Sequence, residues 1–274
     1  MIKDVMVWVD GSLADEIRLD VAGSIARQFD SQVIALVLNP MPLLGSIEGA
    51  AAAVAQAELL EKAREAGDIT EAKLVKRLKL LERPVEIRRF DVLANDIADI
   101  AAREARTADT FVALRPNGAM DPERLVEGVL FESGRHLFLF PETERPKIAF
   151  DRILVAWNGS RESARAMAEG MPFLRQAKEV TVAVITDKGV TEQNALVGTD
   201  AVNHLKHHGI DAVLHRVNNR KHDVGAALLA ETRRRKVDLI VMGGYGHIRL
   251  RERLLGGVTY NLMHEAPVPI VIAH

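Results

Sequence analysis

The amino-acid sequence predicts an α/β protein built from two repeated domains, each a five-stranded parallel sheet flanked by helices in a doubly wound arrangement. The first observation behind this prediction is an internal repeat. The segment VMVWVDGSLADEIRLDVAGSIARQF (5–29) corresponds to ILVAWNGSRESARAMAEGMPFLRQA (153–177), and Asp10 therefore corresponds to Asn158. The second observation is that apolar runs of strand length alternate with helical periodicity through both halves, a pattern that is typical of parallel sheets joined by right-handed crossovers.

The predicted strands follow the same order in each half. They are expected at 5–9, 31–39, 85–90, 108–114 and 136–140 in the first half, and at 153–157, 179–187, 212–217, 237–242 and 268–273 in the second. A long helical segment is expected at about 49–82, with a shorter counterpart at 191–208, because a crossover connection tolerates extra length. The segment PETERPK (141–147) brackets charges with two prolines and indicates a linker. The predicted domains are residues 1–145 and 146–274.

Composition excludes several classes of function. The 274 residues are 48% hydrophobic and carry a net charge of −2, which provides no overall field for nucleic acid or an anionic membrane. The chain contains no cysteine, which excludes disulfides, thiolate metal sites and a cysteine nucleophile. No apolar run approaches the roughly 20 residues that cross a bilayer. We therefore expect a cytoplasmic protein without a nucleic-acid or membrane partner.

The segment GGYGHIRLRERLLGG (243–257) concentrates glycine and arginine after a predicted strand. Ligands of open parallel sheets bind beyond the carboxyl ends of the strands, and bare backbone N–H groups in such a turn can hold phosphate oxygens. A helix predicted to begin after Gly257 adds unsatisfied N–H groups, and Arg249, Arg251 and Arg253 add positive charge. From the residues alone, a surface loop between two helix caps explains the segment equally well. Neither a P-loop nor a Gly-x-Gly-x-x-Gly motif follows the first strands, which disfavours those nucleotide folds.

The closing segment VDLIVMGGYGHIRLRERLLGGVTYNLMHEAPVPIVI resembles that of the universal stress proteins, whose motif is Gly-x-x-Gly, nine residues, then Gly-Ser or Gly-Thr. Here Gly243 and Gly246 are followed after nine residues by Gly256, and both ILVAWNGS and APVPIVI fit the family as well. The resemblance extends over nearly all of both halves. It implies a tandem universal stress protein with an adenine-nucleotide α-hydrolase-like fold.

The resemblance also implies a binding site for ATP or another adenine nucleotide in the second half, with Mg²⁺ as a conceivable companion of the phosphates. No catalytic residue and no metal ligand is assigned. The implied binding residues are Ala156, Trp157 and Asn158 at the first strand, Ile185 at the second, Met242 beside the sugar, and Gly243, Gly246, Gly256, Gly257 and Val258 around the phosphates.

The sequence departs from the family motif at two positions. Asn158 replaces an acid, and position 257 is glycine where the family has a hydroxyl residue, for which Thr259 could substitute.

Three functions remain open on this basis. The first is a stress-response regulatory protein that binds the nucleotide without fast turnover. The second is a slow ATPase or nucleotidyl-transfer enzyme that uses the same loop, with His247 as the candidate base. The third is a protein-interaction module that has lost nucleotide binding. A metal face formed by Asp200, His204 and His208 is also conceivable, although a polar helix end is the commoner meaning of such a pattern.

The first half is predicted to have lost the site. Alignment of 108–114 with 237–243 places Leu114 at the position of Gly243, Pro116 at Tyr245 and Glu127 at Gly256. A side chain, a missing N–H group and a carboxylate would each oppose a phosphate. We therefore expect one nucleotide per chain. The alternative is that Asp10 anchors the ribose of a different ligand whose phosphates are held by Arg115 and Arg124. The resemblance further suggests that the two halves pack as an internal pseudo-dimer through their fifth strands, and leaves open whether two chains also pair.

Overall fold

The chain folds into two compact α/β units. The first consists of Met1–Ala113 together with Met120–Ser133, and the second mainly of Gly134–His274. The computed structural model describes residues 1–43, 50–115, 120–142, 148–186, 197–219, 223–245 and 257–274.

The first unit is a sheet of four parallel strands in the order β3-β2-β1-β4. Its elements in chain order are β1 (Asp4–Val9), α1 (Ala14–Phe29), β2 (Gln32–Met41), α2 (Ala50–Leu78), β3 (Val85–Leu93), α3 (Ile97–Ala105), β4 (Thr110–Leu114) and α4 (Met120–Glu132). The long helix expected at about 49–82 is confirmed as α2. Strands β1, β2 and β4 are almost wholly buried, as expected for a sheet that is covered by helices on both faces.

The second unit repeats this arrangement and adds a strand. Its elements are β5 (Leu137–Phe140), β6 (Arg152–Ala156), α5 (Arg161–Leu174), β7 (Glu179–Thr186), α6 (Thr199–His207), β8 (Ala212–Asn218), α7 (Val224–Arg234), β9 (Leu239–Gly243), α8 (Val258–Glu265) and β10 (Ile270–Ala273). The strand order is β5-β10-β9-β6-β7-β8. All neighbours except β5 and β10 pair in parallel.

The predicted repeat of α/β domains with parallel ladders is confirmed, and the fifth strands of the two halves, β5 and β10, pair with each other. β5 joins the second unit and pairs antiparallel with β10, with Ile270 opposite Leu139 and Ile272 opposite Leu137. Both strands consist of fully buried residues. An apolar strand such as β10 would present unpaired N–H and C=O groups if it lay at an open edge, and β5 removes that edge.

The parallel topology places the ends of several strands around one crevice. In the second unit β6 lies between β7 and β9. The chain proceeds from β6 to β7 and β8 on one side and then crosses to β9 on the other side of β6, so the strand order reverses at β6. Helices that follow neighbouring strands on opposite faces diverge at such a point and leave a crevice at the carboxyl ends. In the described part of the chain, no helix is long and apolar enough to cross a membrane.

Candidate functional site

A cavity of about 340 Å³ lies at the carboxyl ends of β6, β7 and β9. Small-molecule sites typically enclose roughly 300–1,000 Å³, so this cavity has a suitable size. The residues that line it are Ala156, Trp157, Asn158, Ser160, Glu162, Ser163, Ala183, Ile185, Val224, Leu228, Met242, Gly243, Tyr245, Gly257, Val258, Thr259 and Tyr260.

Nine of the eleven residues predicted from the sequence lie together on this lining. They are Ala156, Trp157, Asn158, Ile185, Met242, Gly243, Gly257, Val258 and Thr259. The other two, Gly246 and Gly256, fall outside the described residues, as do the candidate base His247 and the three loop arginines Arg249, Arg251 and Arg253. Whether these residues bind a ligand stays a prediction.

A tight turn at the end of β6 directs the N-terminus of α5 toward the cavity. Asn158 Oδ1 accepts a hydrogen bond from the Ser160 N–H group at 3.0 Å, and Gly159 between them has φ of +76°, which favours glycine. Ser160 then caps α5, because its Oγ accepts from the Ser163 N–H group at 3.1 Å. The sequence asparagine-glycine-serine therefore encodes both the turn and the start of the helix.

Gly243 is required by close packing of backbone on backbone. A Cβ atom at this position would lie 2.5 Å from the carbonyl carbon of Glu162 and 2.6 Å from the Ser163 nitrogen. These contacts are shorter than van der Waals distance, so any side chain would push the first turn of α5 away from β9. The sequence predicted a glycine here for contact with phosphate; the structure adds that the glycine lets two walls of the cavity meet.

The N-terminus of α8 forms the opposite wall. Within the described residues, no side chain caps the N–H groups that begin at Val258, so these groups remain available to a ligand. Thr259 Oγ accepts a hydrogen bond from the Tyr245 N–H group at 3.2 Å, which leaves the hydroxyl hydrogen of Thr259 free to donate. The partial positive charge of a helix N-terminus favours an anion at this wall.

The third wall is apolar. The Trp157 N–H group donates to the Ala183 carbonyl at 2.9 Å and so continues the ladder between β6 and β7. Trp157 and Ile185 are half-buried, whereas Ala183 and Met242 are buried, and Leu228 of α7 closes the wall. An aromatic ring, branched aliphatic groups and a methionine together suit a flat, weakly polar group such as a base.

Glu162 carries the only formal charge among the described lining residues. Its side chain is 4% exposed. Burial raises the pKa of this carboxyl, but hydrogen bonds from the Arg161 guanidinium, from backbone and from Ser160 outweigh burial, and the pKa lies below its usual range. Glu162 is therefore ionised near neutral pH and paired with Arg161.

Sequence reasoning missed eight lining residues, namely Ser160, Glu162, Ser163, Ala183, Val224, Leu228, Tyr245 and Tyr260. A signal existed for Ser160 and Ser163, because serine after a tight turn is a common N-cap. Val224 and Leu228 had none. They reach the cavity from α7, and only the tertiary fold brings that helix to the ends of β6 and β7.

The helix face with Asp200, His204 and His208 is an exposed polar surface. The His204 and His208 rings contact each other edge to face, with centroids 4.7 Å apart. Across the part of the chain that the structure describes, no three histidine or acidic side chains converge closely enough to hold a metal ion.

The first unit contains the same turn in a different setting. Asp10 Oδ1 accepts from the Ser12 N–H group at 2.9 Å, and Gly11 has φ of +82°. The other oxygen of Asp10, Oδ2, lies 3.0 Å from Nη1 of Arg18, which also contacts Asp15 Oδ1 at 2.8 Å. Each oxygen of Asp10 thus already has one partner, and whether Asp10 also anchors the ribose of another ligand stays a prediction.

Arg18 and two apolar side chains occupy the space beside that turn. The guanidinium carbon of Arg18 lies 4.5 Å from the centroid of the Trp8 ring, and Arg18 is 5% exposed. The ladder registers pair Trp8 with Leu36 in the first unit and Ala156 with Ala183 in the second. Two large side chains thus stand where the second unit has two alanines that line its cavity.

Comparison with known proteins relates the chain to one family. Residues 149–274 match the model of the universal stress protein family. No curated protein sequence matches the chain significantly.

Solved structures of similar fold span the whole chain. A universal stress protein from Archaeoglobus fulgidus superimposes with a TM-score of 0.70 at 18% identity, covering 98% of this chain and 95% of its own. A putative universal stress protein from Pseudomonas aeruginosa gives a TM-score of 0.62 at 14% identity, covering 99% of this chain and 93% of its own. At these identities the two structures establish similarity of fold.

Proposed function

We propose, from the premise that residues 149–274 form a domain of the universal stress protein family, that this domain binds an adenine nucleotide in its cavity without fast turnover. The observation that supports this most strongly is that an apolar wall and two helix N-termini face one cavity of suitable size. A nucleotide requires these two environments side by side, one for the base and one for the phosphates.

The base is assigned to the wall formed by Trp157, Ala183, Ile185 and Leu228. These residues offer flat and aliphatic surfaces, and Trp157 lines the cavity while only half-buried. Stacking of a base on an aromatic side chain contributes roughly 1–3 kcal/mol in nucleic-acid complexes. Asn158 at the end of β6 is then placed to contact the ribose.

The phosphates are assigned to the wall that begins at Gly257. The N–H groups at the start of α8 and the free hydroxyl hydrogen of Thr259 are neutral donors that need no counter-ion. Thr259 thereby takes the part of the hydroxyl residue that the family has after its last motif glycine. Phosphate bound at a helix N-terminus gains from both the hydrogen bonds and the dipole.

Isothermal titration calorimetry with ATP, ADP and AMP tests the proposal. We expect saturation near one nucleotide per chain, and we expect Ile185→Trp to abolish binding because the larger ring fills the apolar wall. Val213→Trp is the matched control, since Val213 is 58% exposed on β8 outside the cavity, and it should bind like the wild type. Absence of binding at millimolar nucleotide would contradict the proposal and favour an interaction module.

A phosphate-release assay separates binding from the alternative of a slow ATPase or nucleotidyl transferase. We expect nucleotide to remain intact over hours with and without Mg²⁺. Release that is lost in His247→Ala while calorimetric binding is preserved would favour the enzyme.

A role in the stress response and a cytoplasmic location belong to the same proposal and rest on the family. We also propose that the two halves pack as an internal pseudo-dimer. Small-angle X-ray scattering should then give the profile of one compact particle, whereas a profile of two separated lobes would refute the packing.

A further inference from the structure

We propose that the cavity of the second unit selects adenine nucleotides that carry a phosphate on a ribose hydroxyl, and that Asn158 is the residue that admits this group. The inference rests on the nucleotide binding proposed above and specifies the class of ligand. Two features support it: the atom of the Asn158 amide that remains free, and the charges around that atom.

The orientation of the Asn158 amide is fixed by its turn. The Ser160 N–H group, 3.0 Å away, is a donor and requires an acceptor, so the atom facing it must be Oδ1. The amide nitrogen Nδ2 has no hydrogen-bond partner among the described residues, and Asn158 is exposed on the cavity lining. Asn158 therefore presents two unpaired N–H donors to a ligand, while its Oδ1 already accepts one hydrogen bond from the turn.

The first unit shows what an acid at the same position presents. Asp10 uses Oδ1 for the same backbone hydrogen bond, and its remaining oxygen is a charged acceptor that contacts Arg18 at 3.0 Å. A charged acceptor suits a free ribose hydroxyl, which donates, and repels a phosphate. Dinucleotide-binding folds use this difference, with an acid for the free 2′-hydroxyl and a cation near a 2′-phosphate. By the same logic, an amide in place of an acid at position 158 favours a ribose phosphate over a free ribose hydroxyl.

The surrounding charges agree with this assignment. The repeat places Ala166, which is fully buried, at the position of Arg18, so the second unit has no guanidinium there to neutralise an acid. Glu162 is the one formally charged residue of the described lining, and Arg161 pairs with it. A carboxylate at 158 would add a second negative charge to a lining that already holds Glu162, and Arg161 is already paired with Glu162, whereas the neutral amide adds no charge.

The test is calorimetric titration of AMP, adenosine 2′,5′-bisphosphate and adenosine 3′,5′-bisphosphate into the wild type, Asn158→Asp and Asp10→Asn. We expect the wild type to bind one bisphosphate about tenfold more tightly than AMP, and the 2′ and 3′ isomers identify which hydroxyl is read. Asn158→Asp should weaken that bisphosphate about tenfold, through repulsion and a lost donor, and should strengthen AMP, whose free ribose hydroxyls can donate to the new carboxylate. Asp10→Asn is the reciprocal change in the first unit and should alter none of these affinities.

Asn158→Asp is expected to fold, because Asp10 already forms this turn in the same chain, and thermal unfolding followed by circular dichroism verifies it. Equal affinity of the wild type for AMP and both bisphosphates would overturn the inference and leave nucleotide binding intact. An equal loss of AMP and bisphosphate in Asn158→Asp would overturn it as well. Failure of all three compounds to bind the wild type would instead overturn the proposed function.

Discussion

The strand-turn-helix segments at 5–29 and 153–177 share a backbone turn but differ in what fills the space beside it. In both, the side chain before glycine accepts a hydrogen bond from the serine N–H group that follows, at 2.9 Å for Asp10 and 3.0 Å for Asn158. In the first unit Trp8, Arg18 and Leu36 occupy the volume. In the second unit their counterparts are three alanines, and a cavity opens. The turn is thus retained as a structural element, while the side chains around it determine whether a ligand has room.

In the first unit, side chains of the protein itself provide the charge pairing and the ring stacking that a ligand would provide in the second. Arg18 provides a cation for Asp10 and Asp15, and its guanidinium lies over the Trp8 ring. An arginine stacked on an aromatic ring and paired with carboxylates is favourable when water is excluded. The side chains beside this turn are therefore stabilised by one another without a ligand.

The largest expected effect comes from Gly243→Val. The added side chain would meet the backbone of Glu162 and Ser163, and overpacking of this kind costs about 3 kcal/mol. We expect urea unfolding to show that loss and calorimetry to show no nucleotide binding.

The matched change at the end of β4 is Leu114→Gly, since the registers pair Val5 with Thr110 and Ile153 with Leu239 and so align Leu114 with Gly243. It should cost about 1–2 kcal/mol, through lost burial and backbone entropy, and should not create a site. A gain of nucleotide binding in Leu114→Gly would show that glycine at this position, rather than the volume beside the turn, separates the two units.

Arg18→Ala is expected to destabilise the first unit by about 2–3 kcal/mol, because two partly buried carboxylates lose their shared cation. The readout is the urea midpoint. Arg27→Ala on the same helix is the control, since Arg27 is exposed and bonds to Ser24 Oγ, and it should change stability by less than about 0.5 kcal/mol. Nucleotide binding should not appear in Arg18→Ala, because Trp8 and Leu36 still fill the space; its appearance would identify Arg18 alone as the block.

A smaller effect is the pH dependence of the Asp10 ion pair. Burial raises the pKa of the Asp10 carboxyl, but hydrogen bonds from Ser12 and the charge of Arg18 outweigh burial and hold the pKa below 3.8. A carboxyl whose pKa is lowered on folding adds stability above its unfolded value and loses it as the pH falls through the folded value. The wild type should therefore exceed Asp10→Asn in stability by about 1 kcal/mol at pH 7. The difference should begin to shrink as the pH falls below about 3.8 and be lost as the pH passes through the lower pKa of the folded state.

Urea unfolding at pH 7, 5 and 3 measures this difference. A difference between wild type and Asp10→Asn that persists unchanged at pH 3 would show that the hydrogen-bonded turn, and not the charge, stabilises this segment.

The internal repeat carried most of the fold prediction, because the asparagine-glycine-serine and aspartate-glycine-serine turns mark equivalent strand ends. It also predicted that Leu114 and Gly243 occupy equivalent positions in the two halves, and the ladder registers give the same alignment. The antiparallel pairing of β5 with β10 was beyond such reasoning, since an apolar strand carries no mark of the direction of its neighbour.

The candidate site was predictable where the motif lies at strand ends and not where other elements reach in. Leu228 comes from α7, and Arg18 lies on α1, whereas Asp10, which it neutralises, lies in the turn before that helix. An arginine on a helix whose first turn is acidic indicates only a surface ion pair, so its burial over Trp8 follows from the tertiary fold.

The claim that one nucleotide binds per chain, in the second unit, is tested most directly by the two tryptophans of the chain, one beside each turn. Trp8→Phe leaves Trp157 as the sole reporter and Trp157→Phe leaves Trp8, while calorimetry on each variant gives the stoichiometry. The account predicts that saturating ATP or AMP changes the emission of Trp157, that it leaves the emission of Trp8 unchanged, and that about one nucleotide binds per chain. A change in Trp8 emission on titration, or two nucleotides per chain, would contradict it.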